Sequence, residues 1–144
     1  MKNLTMRMLF AVATLAAAAV GASAQTYKAD IPMAFRAGGK LLTPGTYDFV
    51  VSLGPSGQHT VIVRNHHAVK QAAMLATVPG SDAPKAWRNA GTPKIGFECA
   101  SQSCSLTRLY NGRDVSAYQF PAPKVAPADK ERIASITLSL TPSE

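Results

Sequence analysis

The sequence predicts an all-β protein: an antiparallel sandwich or a small barrel of about eight short strands, preceded by a cleaved signal peptide. Apolar and polar residues alternate along several segments, and turn-forming residues recur about every 8 to 15 positions, which is typical of short antiparallel strands. The chain has 144 residues, of which 47% are hydrophobic. This size and composition suit one domain with its own core and exclude a long disordered tail.

The N-terminus has the three parts of a secretory signal peptide. Lys2 and Arg7 carry positive charge, Met8–Val20 is an apolar run, and Ala22-Ser23-Ala24 offers the small residues that signal peptidase accepts. The apolar run is shorter than the roughly 20 residues that a membrane-spanning helix needs. We therefore predict cleavage after residue 24.

Cleavage assigns residues 1–24 to the signal peptide and residues 25–144 to a single β domain. It removes two basic residues and no acidic one, so the formal charge falls from +7 to +5. The remaining charges are spread along the chain without a run, so the positive balance is no longer a strong argument for an anionic partner. Nucleic acid is not expected as a partner, because the protein is predicted to leave the cytoplasm. The expected location is periplasmic or secreted, with no stable membrane insertion after cleavage.

Thr46–Leu53 is the clearest strand. Every second side chain in it is apolar, which places Tyr47, Phe49, Val51 and Leu53 on one face. Thr43-Pro44-Gly45 precedes it as a turn, because Pro fixes φ and Gly accepts positive φ.

The other strands follow from the same pattern and from the turns between them. Tight turns are predicted at Gly38-Gly39 and Asn111-Gly112. The Pro- and Gly-rich segment Pro79–Pro93 is predicted to be irregular. The remaining strands are predicted at Tyr27–Phe35, His59–Arg64, Val69–Val78, Lys94–Cys99, Cys104–Tyr110, Val115–Phe120 and Ile136–Leu140.

The two cysteines are predicted to form a disulfide. Cys99 and Cys104 enclose four residues, and the residues that flank such a loop in a hairpin lie opposite each other. Two cysteines in an exported protein favour one disulfide. A redox-active pair and a metal site are the alternatives.

His66 and His67 are weak candidates for metal or haem ligands. Adjacent residues on a strand point to opposite faces, so both can reach one ion only from a turn. With Cys99 and Cys104 they would make a Cys₂His₂ set, which requires reduced thiols. The simpler interpretation is a pair of exposed turn residues, and no metal or cofactor is expected.

Trp87, the only tryptophan, is a candidate ligand contact together with Lys85 and Arg88. An aromatic ring between cations can bind a polyanion or stack on a sugar or a base. The alternative is a tryptophan that anchors the loop in the core, flanked by solubilising charges.

Catalytic motifs are mostly missing. Gly54-Pro55-Ser56-Gly57 resembles half of the hydrolase pattern G-x-S-x-G, but Gln58 stands where the last glycine belongs. Gly38-Gly39-Lys40 lacks the upstream glycine and the following Ser or Thr of a phosphate loop. The sequence thus predicts a protein that is not an enzyme.

The start of the predicted β domain resembles a family of small exported bacterial β-proteins of unknown function, whose opening reads "IPFxFxxGGKxLPAGTY". The resemblance is carried by Asp30–Phe35, Ala37–Lys40 and Leu42–Tyr47. Thr43-Pro44-Gly45 departs slightly from that pattern at the turn. The resemblance implies export and a β fold, and it implies no activity or functional residues.

Together these features predict a non-catalytic binding or structural module of the cell envelope, whose partner is an envelope component or a small ligand. One alternative is a small-ligand carrier, if the strands close into a barrel with an apolar interior. The other is a metal- or haem-binding protein that uses His66 and His67.

Overall fold

The computed structural model describes residues 25–78, 80–100, 103–121 and 134–143. The predicted signal peptide lies outside these residues. The described residues form one helix, α1 (Lys85–Ala90), and eleven strands: β1 (Gln25–Ile31), β2 (Phe35–Ala37), β3 (Lys40–Leu42), β4 (Gly45–Leu53), β5 (His59–Asn65), β6 (Ala72–Ala76), β7 (Lys94–Ala100), β8 (Ser103–Tyr110), β9 (Tyr118–Gln119), β10 (Ala134–Ser139) and β11 (Thr141–Ser143).

The strands form two sheets that face each other as a sandwich, and the described residues form no closed barrel. The first sheet has the order β11-β1-β4-β5-β6 and is antiparallel throughout. The second has the order β10-β7-β8-β2-β3, with β9 also paired to β8; only β2 and β8 run parallel. The all-β sandwich prediction is confirmed, with more and shorter strands than the eight expected.

Alternating burial creates the core between the sheets. In β4, Tyr47 and Phe49 are fully buried, whereas Leu53 at the strand end is 65% exposed. The ring of Phe35 packs edge-on against Tyr47 from the facing sheet, at 5.1 Å, and against Phe97 at 5.5 Å. These three rings join the two layers.

The sequence pattern did not reveal two of the places where the chain changes sheets. The predicted strand Tyr27–Phe35 is wrong as one element, because β1 ends at Ile31 and β2 begins at Phe35 in the other sheet. Pro32 stands between them and has no N–H to donate. Leu140 marks the second change, between β10 and β11, and its N–H donates to the carbonyl of Pro93 at 3.0 Å.

The turn between β2 and β3 covers the edge of β6. The predicted Gly38-Gly39 turn is present, with φ of 58° and 77°. A Cβ on Gly38 would lie 2.7 Å from the carbonyl oxygen of Met74 in β6, so glycine permits this close approach. Nearby, Lys40 Nζ donates to the carbonyl of Lys70 at 3.0 Å.

Two further predictions need correction. The segment Pro79–Pro93 is not irregular throughout, because it contains α1. The side chain of Trp87 in this helix packs against the outer face of the second sheet, at Gly96. Val115–Phe120 forms only the two-residue strand β9, since the preceding turn is wider than a tight Asn-Gly hairpin. Val69–Val78 is a strand as predicted, shortened to β6.

Candidate binding cleft

An open cleft of about 470 Å³ lies where β1, β11, the end of α1 and the end of β8 meet. Its volume is within the range of small-ligand sites. The lining residues are Gln25, Thr26, Tyr27, Gly91, Pro93, Asn111, Gly112, Arg113, Pro142 and Ser143.

The turn after β8 gives the cleft a rigid wall. Asn111 Oδ1 accepts hydrogen bonds from the backbone N–H groups of Arg113 and Asp114, at 2.9 and 3.0 Å, and Asn111 Nδ2 donates to Asp114 Oδ2 at 2.7 Å. Gly112 has φ of 83°, and a Cβ there would lie 2.8 Å from the nitrogen of Pro93. An Asn-Gly pair therefore suits this position, because the asparagine side chain bonds the turn and the glycine accepts the conformation.

Arg113 supplies the charge of the cleft. Among the described residues that line the cleft it is the one charged residue, and its side chain is exposed. Within the described part of the chain, no carboxylate lies within 4.0 Å of its guanidinium. A guanidinium without a partner carboxylate can bind a carboxylate or phosphate through two parallel hydrogen bonds.

The phenols of Tyr27 and Tyr118 both interact electrostatically with Asp114, and Tyr27 also interacts with Arg113. The hydroxyl of Tyr27 donates to Gln25 Oε1 at 2.8 Å. Burial is the main cause that raises the pKa of Tyr27, and the nearby Tyr118 and Asp114 raise it further. The positive charge of Arg113 acts in the opposite direction and lowers the pKa. Burial and then Asp114 raise the pKa of Tyr118. Both phenols therefore stay neutral hydrogen-bond donors at physiological pH.

Trp87 holds the opposite wall of the cleft in place. Its side chain is 8% exposed and packs on Gly96, with its ring centroid 6.3 Å from that of Tyr110. The N–H of Gly91 donates to the carbonyl of Trp87 at 3.1 Å and ends α1 in the left-handed conformation. The burial of Trp87 thus fixes the segment that lines the cleft.

The structure does not place Lys85 and Arg88 around an exposed tryptophan ring. Arg88 Nε donates to the carbonyl of Ala83 at 3.1 Å, and Lys85 is exposed. The rim of Trp87 borders only a small hollow of about 40 Å³ on the second sheet. Ligand stacking on Trp87 stays a prediction, and the observed packing gives the ring an anchoring role.

His66 and His67 lie in the exposed turn after β5. Asn65 Oδ1 accepts the backbone N–H groups of His67 and Ala68, each at 2.9 Å, and so forms the turn. The two rings meet edge-on at 5.0 Å, and His66 Nδ1 lies 3.1 Å from Asp48 Oδ2. The described residues contain no group of three His, Cys, Asp or Glu side chains arranged to hold a metal ion.

Cys99 and Cys104 form a disulfide across the β7–β8 hairpin, as predicted. They are directly opposite in the strand register, with Cα atoms 4.0 Å apart. Because both thiols are bonded, they are not available to complete a Cys₂His₂ site.

The cleft itself was not predicted from the sequence. By sequence alone, Tyr27 is one residue of a predicted strand and Arg113 is one of many scattered cations. The sequence signal that was available is Asn111, because an asparagine before Gly-Arg-Asp can bond the following backbone and fix the arginine. The partners across the cleft come from distant segments and carry no local signal.

The described residues define the class of protein: a two-sheet β domain with a cleft at one end that Arg113 makes cationic. Comparison with known proteins found no matching family model, no matching curated protein and no matching solved structure. In the part of the chain that the structure describes, no helix is long and apolar enough to cross a membrane.

Proposed function

We propose that this protein is a non-catalytic binding module of the cell envelope, and that its end cleft holds a small anionic ligand such as a carboxylate. The observation that carries the proposal is Arg113, an exposed guanidinium held on a turn that the Asn111 side chain bonds. Beside it, Asn111 Nδ2 carries a second N–H, and Tyr27 contributes a neutral phenol whose proton is donated to Gln25. A fixed cation and neighbouring donors match the lone pairs of a carboxylate.

The packed core favours this function over that of a carrier barrel. A carrier needs an apolar interior that is empty enough to enclose its ligand. Here Phe35, Tyr47 and Phe97 fill the space between the sheets, and the cleft opens at the end of the sandwich instead.

Export to the periplasm or the medium is part of the same proposal. The disulfide is compatible with an oxidising compartment. An intact mass measured on protein from the envelope fraction should begin at Gln25 and contain the disulfide. A mature chain that retains residues 1–24 would contradict the proposed export.

The cleft is tested by an NMR titration of the mature protein with glucuronate, a carboxylate-bearing sugar, and with glucose as the uncharged control. We expect glucuronate alone to shift the backbone signals of residues 25–27, 91–93 and 111–113. Arg113→Gln should weaken binding about tenfold, which corresponds to about 1.4 kcal/mol, because the charged donor is lost.

Arg64→Gln is the matched control, since Arg64 is an exposed arginine on β5 that does not line the cleft. It should bind glucuronate like the wild type. An equal loss of affinity in Arg113→Gln and Arg64→Gln would show that the net charge of the protein, and not the cleft, accounts for the effect. Shifts elsewhere on the protein, or none at millimolar glucuronate, would reject this ligand class for the cleft.

A further inference from the structure

We propose that two copies of this chain pair through β10, so that the second sheet continues across a twofold axis. β10 stands at the end of that sheet, and within the described part of the chain only β7 pairs with it. The free side of an edge strand presents unpaired backbone groups to any other strand of suitable shape. The proposal concerns a surface away from the end cleft and does not depend on its ligand.

The backbone geometry shows which groups of β10 point away from β7. The N–H of Leu140 donates toward β7, to the carbonyl of Pro93. Backbone groups alternate direction along an antiparallel strand. The backbone N–H and C=O groups of Ile136 and Leu138 therefore point toward β7. Those of Ser135, Thr137 and Ser139 point away from it, to the open edge.

The sequence of β10 itself carries none of the residues that usually protect an edge strand. Its sequence, Ala-Ser-Ile-Thr-Leu-Ser, contains no charge and no proline. By contrast, the β6 edge of the first sheet is covered by Gly38 and Lys40. An open notch of about 340 Å³ lies between the end of β10, at Leu138 and Ser139, and residues 28–30 of β1.

The residues of β10 are complementary to themselves in one antiparallel register. With the axis at Thr137, this residue pairs with its own copy, and Ser135 pairs with Ser139 of the second copy. All three have their free backbone groups at this edge, so each pair forms two hydrogen bonds. On the inner face, the half-buried Ile136 lies beside Leu138 of the second copy, and each covers apolar surface of the other.

The charges on β7 select the same register. Glu98 pairs with Ser135, and Lys94 pairs with Ser139, within one copy. In the dimer, Glu98 of one copy and Lys94 of the second copy lie in one row across the sheet. Between them are Ser135 of the first copy and Ser139 of the second. Three strand spacings of about 4.8 Å separate their Cα atoms by about 14 Å, most of which the extended side chains span. The twofold axis creates this pair twice, and a shift of two residues removes it.

The proposal is tested by the mass of the mature wild-type protein in solution. Light scattering and sedimentation equilibrium measure this mass at tens of micromolar protein. We expect a dimer. Thr137→Lys places two lysines at the axis and should yield a monomer with an unchanged far-UV circular dichroism spectrum. Ala76→Lys adds the same charge at an exposed position on β6, the protected edge, and should remain dimeric.

A charge swap tests the register. Lys94→Glu alone and Glu98→Lys alone replace both attractive pairs by repulsive ones and should each raise the dimer Kd about tenfold. The double variant Lys94→Glu with Glu98→Lys should restore the wild-type Kd. A wild-type monomer at these concentrations, or a Thr137→Lys dimer of wild-type affinity, would overturn the interface, and a double variant without recovery would overturn the register.

Discussion

Gly96 is the residue on which the helix contact with the second sheet depends. A Cβ at this position would lie 2.9 Å from Cη2 of Trp87, closer than side-chain carbons normally approach. We expect Gly96→Ala to push the indole outward and to lower the free energy of unfolding by about 1 to 3 kcal/mol, as overpacking of a buried contact usually does. Urea denaturation followed by far-UV circular dichroism measures this loss.

A double-mutant cycle identifies the cause. Trp87→Leu removes the ring that the new methyl group would meet, so Gly96→Ala should cost clearly less in that background. An equal cost in both backgrounds would show that Gly96 is needed for its backbone and not for the Trp87 contact. Since Trp87 is the only tryptophan, its fluorescence reports the displacement in the single variant.

At the level of elements, the β7–β8 hairpin combines a disulfide with a bulge. The register shifts between Gly96 and Phe97, so that Thr107 on β8 has no direct partner; its hydroxyl donates to the carbonyl of Gly96 at 3.4 Å. The extra residue bends the strand where Trp87 packs on the opposite one. Cys99 and Cys104 fix the register at the other end of the hairpin.

Removing the disulfide should weaken the fold without changing it. A closed loop of this length restricts the unfolded chain by about 2 kcal/mol. We expect Cys99→Ala with Cys104→Ala to lose about that much in urea denaturation, and reduction of the wild type to lose a similar amount. An unchanged midpoint would mean that the bond contributes nothing to stability, and full thiol labelling of unreduced native protein would contradict the bond itself.

Elements that depend on local pattern were predictable, and those that depend on distant contacts were not. Alternation in Thr46–Leu53 and the Cys99–Cys104 spacing each report on neighbouring residues, so the strand and the hairpin follow from sequence. The switch between sheets at Pro32, the helix around Trp87 and the cleft around Arg113 require segments far apart in the chain. A period-two pattern continues unchanged when a strand moves from one sheet to the other, and so it cannot reveal the switch.

At the scale of the whole molecule, the two sheets share one core and should unfold together. Phe35 of the second sheet contacts Tyr47 of the first, and both rings are fully buried. The hydroxyl of Tyr47 also donates to the carbonyl of Thr43 at 2.6 Å, which ties the turn before β4 to the core. Among the described residues, the other buried apolar cluster is much smaller and consists of Ala83, Trp87, Tyr110 and Ala117.

Phe35→Ala tests this shared core with two probes that see different parts of the molecule. Circular dichroism reports on both sheets, whereas Trp87 fluorescence reports on the outer side of the second sheet alone. We expect Phe35→Ala to lower the free energy of unfolding by about 3 to 5 kcal/mol. Both transitions should move to lower urea concentration and still coincide, because loss of a buried ring weakens both sheets at once. Met74→Ala, at a side chain that is 66% exposed, should change stability by less than about 0.5 kcal/mol. If the two probes separate in the Phe35 variant, one sheet persists without the other, and the sandwich is two cooperative units instead of one.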